Sequence, residues 1–169
     1  MSTSNHLNLE EIIRIMPQQP PFLFVEEADL EPLEGTATGH YQIRGDEDFL
    51  RGHFRHTPVF PASVLLEALG QLGVLFLLSG GLKGLKYPAN PEAVYFTYCN
   101  GVRCVRVCRP GDKLDMTIRL KRLRHPLVVF EGTMTCGQEK VATADEITLI
   151  FDYKRDTESE SVATGQPSA

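Results

Sequence analysis

Apolar and polar residues alternate along this chain with two different periods, and the change between them marks out its elements. Between Pro61 and Leu82 the sequence PASVLLEALGQLGVLFLLSGGL is apolar on every side over residues 64–78, which predicts a helix enclosed by the rest of the fold. Pro61 suits the first helical turn, because its fixed φ and missing N–H cost nothing there, and Gly80-Gly81 stop the element after about Ser79. From Val94 onward the period falls to two. Leu114, Met116, Ile118 and Leu120 face one way while Asp115, Thr117, Arg119 and Lys121 face the other, the mark of a half-buried strand. Residues 102–108 precede it through the turn Arg109-Pro110-Gly111-Asp112, and residues 127–135 and 141–151 follow, joined by Cys136-Gly137-Gln138-Glu139 as a hairpin turn.

Upstream, residues 9–15 predict a short helix that stops before Pro17. Phe22-Leu23-Phe24-Val25 reads as a first strand and residues 36–43 as a second, separated by the turn Glu31-Pro32-Leu33-Glu34-Gly35. Residues 46–60 have no clear period and are expected as a long loop. A flexible N-terminus (1–8) and a disordered tail (155–169, RDTESESVATGQPSA) flank one domain, 9–154, because the tail lacks the apolar residues that offset the entropy of ordering. The expected class is α+β: an antiparallel sheet of about six strands wrapped around one long central helix, the hot-dog arrangement.

Composition agrees with this. A chain of 169 residues, 42% hydrophobic and 23% charged, builds one domain with a real core. The long apolar run is not read as a membrane span, since Glu67, Gln71, Ser79 and four glycines interrupt it. The opening MSTSNHLNLEEIIR lacks the basic and apolar regions of a signal peptide, so a cytoplasmic protein is expected. Cys99, Cys104, Cys108 and Cys136 have no CxxC spacing, which argues for reduced thiols and against a zinc site. Residues 101–125 hold eight Lys/Arg against Asp112 and Asp115 in a chain of net charge −5, a basic stretch suited to an acidic partner or a phosphate. Nucleic acid is the weaker partner, for want of an interleaved aromatic platform.

Glu67 is the one ionisable group in the apolar helix. A buried carboxyl is normally paired, protonated or retained for chemistry, and it needs a reason. Ser63, Glu67 and Gln71 recur every fourth residue and form a narrow polar stripe on an apolar cylinder. Upstream, Arg51-Gly52-His53-Phe54-Arg55-His56 supplies an imidazole, the side chain that titrates nearest neutrality. A helix beginning near Pro61 leaves the N–H groups of Ala62 and Ser63 as unpaired donors at its positive end, able to polarise a thioester carbonyl. Ser63 itself has no nucleophile-elbow context and is expected to cap the helix. His40, His56 and His125 are expected to be structural.

Gly52-His53-Phe54, then Pro58-Val59-Phe60-Pro61, then Leu66-Glu67-Ala68 with Gln71 resemble the signature of the β-hydroxyacyl-acyl-carrier-protein dehydratase family, in its non-isomerising branch. Met16-Pro17 with Pro21-Phe22-Leu23-Phe24-Val25, and Arg109-Pro110-Gly111-Asp112, extend the similarity over residues 10–153. The resemblance implies dehydration of a 3-hydroxyacyl thioester to a trans-2-enoyl thioester without metal or redox cofactor. His53 is then the base at C2 and Glu67 the acid at the C3 hydroxyl. The Val59 carbonyl orients His53, the Ala62 N–H meets the thioester oxygen and Gln71 supports Glu67, with Phe54, Pro61 and Ser63 around the substrate. It further implies an acyl carrier protein as partner and a homodimer or higher assembly, such as a trimer of dimers, with the two catalytic side chains drawn from opposite subunits. Two positions depart from the family: Arg55 stands where Pro is usual and Ala62 where Gly is usual. Arg55 is open to two readings, a solvated loop residue or a contact to an acidic carrier protein or pantetheine phosphate. Two rival functions share the fold, a thioesterase with Glu67 activating water and a non-catalytic carrier-binding or heterodimer subunit.

Overall fold

The computed structural model describes residues 5–155. In chain order the elements are β1 (Asn5–Leu7), α1 (Leu9–Ile15), β2 (Glu27–Glu31), β3 (Thr36–Gln42), a 3-10 turn (Asp48–Arg51), α2 (Ala62–Leu78), β4 (Ala89–Asn100), β5 (Arg103–Cys104), β6 (Lys113–Arg124), β7 (Leu127–Cys136) and β8 (Glu139–Tyr153). One eight-stranded antiparallel sheet runs β1-β2-β3-β6-β7-β8-β4, with β5 also on β8.

The sheet curls around α2, as the all-round apolar helix requires. Leu65, Ala68, Leu69, Leu72, Leu75 and Phe76 of the helix are buried, and Met116, Ile118, Phe130, Ile147 and Leu149 come from the strands around it. Full burial of each large apolar side chain contributes about 1.5–3 kcal/mol, so the helix and sheet stabilise each other and neither face is left wet. The curl is tight enough to need glycines. A Cβ added at Gly73 of α2 would lie 3.1 Å from the Phe130 ring of β7, and one at Gly39 of β3 would lie 3.2 Å from Leu72.

The predicted central helix, β6, β7, β8 and α1 are present close to their expected bounds. Four expectations change. Asn5-His6-Leu7, expected within a flexible segment, pairs with Leu30-Asp29-Ala28 of β2; residues 1–4 and 156–169 lie outside the described residues. The first long strand is not residues 22–25 but β2, whose Ala28 and Leu30 point inward between Glu27, Asp29 and Glu31. Residues 22–25 miss the sheet because the Phe24 N–H donates to the Gln71 side chain on α2, not to a neighbouring strand. Residues 102–108 keep only a two-residue strand, β5, and then follow the edge of β8 irregularly through a bond from Val105 N to Val141 O (2.9 Å). The sheet thus has eight strands where about six were expected.

Gly101 makes the break between β4 and β5. Its φ is +62°, and an added Cβ would fall 2.6 Å from the Asp145 Cβ on β8, inside van der Waals contact with a non-terminal atom. Gly101→Ala is therefore expected to lower stability by about 2 kcal/mol, from left-handed backbone strain plus displacement of Asp145. Chemical denaturation checks this, and a loss under about 0.5 kcal/mol would contradict it.

Candidate active site

The loop of residues 51–60 folds back on itself. Val59 N donates to the His53 carbonyl (2.7 Å), Phe54 N donates to the Thr57 carbonyl (3.0 Å), and the half-buried His53 ring stacks on exposed Phe54 at 4.3 Å between centroids. The Val59 carbonyl lies 2.7 Å from His53 Nδ1. A carbonyl only accepts, so Nδ1 carries the proton and Nε2 of the neutral ring keeps its lone pair. Phe60 N then donates to the Cys108 carbonyl (2.8 Å), which ties the loop to the strand edge just before α2 begins.

Pro61 is the N-cap of α2 and not its first helical residue. Val64 N and Leu65 N both reach back to the Pro61 carbonyl (2.9 and 3.1 Å), which leaves Ala62 and Ser63 as the first-turn residues whose N–H groups find no acceptor among the described residues. Ser63 is exposed at the second helical position and its hydroxyl caps nothing, contrary to expectation, because the cap position is occupied by a proline. The expected polar stripe is real but graded: Ser63 is exposed, Glu67 half-buried and Gln71 buried.

Gln71 makes three hydrogen bonds. Its Oε1 accepts from Phe24 N (2.8 Å), and its Nε2 donates to Phe22 O (3.2 Å) and to Glu67 Oε1 (2.9 Å). The two backbone partners fix which end of the amide is which. Gln71 can only donate to the carboxyl, and Glu67 Oε2 is left for another partner. Sequence reading paired Gln71 with Glu67 but had no signal for residues 22–24, which lie 47–49 positions away. Beside that segment lies a cleft of about 710 Å³ lined by Phe22, Leu23, Phe49, Tyr41, Arg44 and Glu47 among others. The Tyr41 hydroxyl donates to Glu47 Oε1 (2.8 Å); burial first, and then Glu47, push its pKa well up. Burial works against the Glu47 carboxylate, but backbone N–H groups of Arg44, Glu47 and Gly45 and the Tyr41 hydroxyl outweigh it and hold Glu47 below the usual range.

One chain thus carries two groups of site residues: His53 with Phe54 and Val59, and Glu67 with Gln71 behind the helix N-terminus. No hydrogen bond or ion pair joins His53 to Glu67 within the chain among the described residues. The basic stretch of residues 101–125 is largely neutralised. Arg103 faces Asp145 (3.9 Å), Arg106 faces Asp112 and Glu139 (2.8 and 2.7 Å), Lys113 faces Asp115 (3.9 Å), Arg119 faces Glu131 (3.6 Å) and Lys121 faces Glu146 (4.0 Å). Arg106 and Asp112 brace the turn behind Cys108, and the Arg106 guanidinium holds the Asp112 carboxyl below the ordinary carboxylate range.

A curled antiparallel sheet around a central helix, with an imidazole on the loop entering that helix and a carboxyl one turn inside it, defines a hot-dog protein with acid–base residues at the helix N-terminus. The chain belongs to the FabA-like family, whose model matches residues 16–145. It is 31% identical over 147 residues to the 3-hydroxyacyl-(acyl-carrier-protein) dehydratase FabZ of Chloroflexus aggregans, covering 86% of this chain and 97% of that protein. It is 32% identical over 151 residues to the FabZ of Bacillus cytotoxicus, covering 89% and 99%. Among solved structures, the dehydratase heterocomplex ApeI:P from Xenorhabdus doucetiae shares the fold, with a TM-score of 0.67, 18% identity and coverage of 85% of this chain and 91% of that one.

Two measurements test the packing of the site. Gln71→Leu strands the buried Phe24 N–H and Phe22 carbonyl, so stability is expected to fall by about 2–4 kcal/mol in chemical denaturation; a neutral effect would mean the segment finds other partners. Asp112, depressed in the folded state, contributes stability that is present above about pH 4 and lost as pH falls through its folded value. Asp112→Asn should flatten the acid limb of a stability-against-pH curve below about pH 4, and an unchanged limb would count against the Arg106 pairing.

Proposed function

We propose that this protein dehydrates 3-hydroxyacyl thioesters, borne on an acyl carrier protein, to trans-2-enoyl thioesters, with His53 and Glu67 as its acid–base pair. The observation that carries the roles is the pair of fixed hydrogen bonds: Val59 O on His53 Nδ1, and Gln71 Nε2 on Glu67 Oε1. His53 Nε2 is left as the base and Glu67 Oε2 as the acid.

The thioester carbonyl lies against the Ala62 N–H, where the positive end of α2 favours the charge that develops on oxygen as C2 loses its proton. Nε2 of His53 takes that proton. The C2–H electrons form the C2–C3 double bond and the C3–O bond breaks. The departing oxygen takes the proton from Glu67 Oε2 and leaves as water, so imidazolium and carboxylate remain. Proton return from His53 to Glu67 through a water resets the site. The Cβ of Ala62, where the family usually has Gly, narrows the approach to this amide.

A second copy of the chain is proposed to complete the site. β4 is a free edge of 12 residues, and Tyr95, Phe96 and Tyr98 on it are 60%, 36% and 53% exposed. Val102, Val105 and Val107 extend this apolar edge toward the His53 loop. A long apolar edge strand is an aggregation hazard unless paired, and antiparallel pairing of β4 with its own copy about a two-fold axis covers it self-complementarily. His53 of one protomer and Glu67 of its partner then share one thioester; assembly of such dimers into a trimer of dimers is the larger form to look for. A cytoplasmic setting fits four free cysteines and the lack, among the described residues, of a helix long and apolar enough to cross a membrane.

With a 3-hydroxyacyl thioester the purified protein is expected to give enoyl absorbance without free thiol; thiol release would mean hydrolysis. His53→Ala and Glu67→Gln should each lower kcat by about 10²–10⁴. Refolded as an equal mixture, the two variants should regain about a quarter of wild-type activity, since half the dimers are mixed and each holds one intact composite site. No recovery on mixing would sink the shared site.

A further inference from the structure

The fold neutralises most of the cations near the catalytic loop. Arg51 is held by Asp48 (2.9 Å), Arg44 by Glu26, and Arg106 by Asp112 and Glu139. Arg55 and Arg109 are exposed and make no ion pair among the described residues. They flank one loop. Arg55 lies two residues beyond His53, inside the turn closed by Phe54 N and the Thr57 carbonyl (3.0 Å). Arg109 follows Cys108, which is bridged to Phe60, so it emerges beside Val59, the residue whose carbonyl orients the imidazole. His56 adjoins Arg55. The Asp112 carboxylate accepts from the Arg109 backbone N–H (2.9 Å), but its charge is met by the Arg106 guanidinium (2.8 Å), and Asp46 adjoins Gly45, which faces Pro110; neither carboxylate forms an ion pair with Arg109.

We infer that Arg55 and Arg109 form an anion clamp at the mouth of the site, which takes the phosphate of a phosphopantetheine arm. This rests on the dehydratase reading above. At most about 7 Å of backbone separates Arg55 from His53, and the antiparallel bridge of Phe60 to Cys108 sets Arg109 opposite Val59, so both exposed arginines border the loop that carries the half-buried imidazole. A thioester held at His53 leaves its arm running out past that rim, and the arm's phosphate lies between the thioester and whatever carries it. Arginine suits such an anion because its planar fork donates two parallel charge-assisted hydrogen bonds and it stays charged at every working pH. The chain thereby uses a residue at 55 that the family seldom has there, and it places one arm of the clamp on the loop that carries the base and the other on the strand edge bridged to that loop.

The test compares the same 3-hydroxyacyl group on pantetheine, on 4′-phosphopantetheine and on a holo carrier protein. Wild type is expected to favour the phosphorylated arm through a lower KM at similar kcat. In Arg55→Ala/Arg109→Ala the ratio of kcat/KM for phosphopantetheine over pantetheine should fall about tenfold, and the remaining preference should lose most of its salt dependence. Equal KM values for the two arms in wild type would overturn the clamp while leaving the dehydratase reading intact, and need no variant. A loss confined to the carrier-borne substrate would place the arginines on the carrier's own surface and also overturn it. Failure of wild type to dehydrate any of the three would remove the reading on which the clamp rests.

Discussion

Everything at the active end of this molecule hangs on one buried amide. Gln71 is 1% exposed, and its three hydrogen bonds join the central helix to a segment almost fifty residues earlier and to the carboxyl one turn before it. The net worth of each bond is modest, about 1 kcal/mol, but a stranded partner in an apolar setting costs more than the bond supplies. The amide therefore acts as a constraint more than as glue. Residues 22–24 cannot join the sheet, the amide cannot flip, and Glu67 cannot turn Oε1 outward without leaving a donor unmet. Orientation of the carboxyl is thus decided by backbone groups of a segment almost fifty residues away.

The second constraint is steric. An apolar helix inside a sheet must be clothed closely, since gaps forfeit dispersion contacts. Here the clothing comes within contact distance because Gly39, Gly73 and Gly132 leave room for Leu72, Phe130 and Leu69. Gly70 does the same at the uncovered side: a Cβ there would meet the Phe96 ring at 2.5 Å, so β4 lies directly on the helix beside Gln71. The edge proposed to meet a second copy is thereby packed on the helix beside Gln71, the residue that holds the Glu67 carboxyl.

Legibility followed the range of the interaction. α2 and β6 were readable because their periods are set by which face each buries, and that is a local pattern. β2 was overlooked because Glu27, Asp29 and Glu31 mask the alternation of Ala28 and Leu30, two inward residues among acids. Residues 22–25 looked like a strand by composition and became an irregular strap because a side chain on another element captured their backbone donor. The site residues were nameable from their motif, and the bonds from Val59 to His53 and from Gln71 to Glu67 span only six and four positions. The anchor to Phe22 and Phe24 spans the whole first sheet segment, and nothing local announces it. Charge was the least legible property: five of the eight basic residues in the 101–125 stretch meet carboxylates, several supplied by β7 and β8.

The candidate acid–base groups sit where the apolar covering of α2 stops. Over its last three turns the helix is sealed by the sheet, and a carboxyl there would be stripped of both water and partners. At its first two turns the cover opens: Ala62 and Ser63 are exposed, Glu67 is half-buried, and the N–H groups of Ala62 and Ser63 find no acceptor among the described residues. A group that must exchange a proton needs that intermediate setting, dry enough for its hydrogen bonds to hold it and open enough for substrate to arrive. The loop that carries His53 is braced to the same rim by Phe60 and Cys108, so the imidazole, the Glu67 carboxyl and the positive helix end share one boundary between core and surface. One protomer supplies that boundary with an exposed aromatic edge still beside it, and in the proposed dimer a second copy laid on that edge would enclose a thioester without burying either titrating group alone.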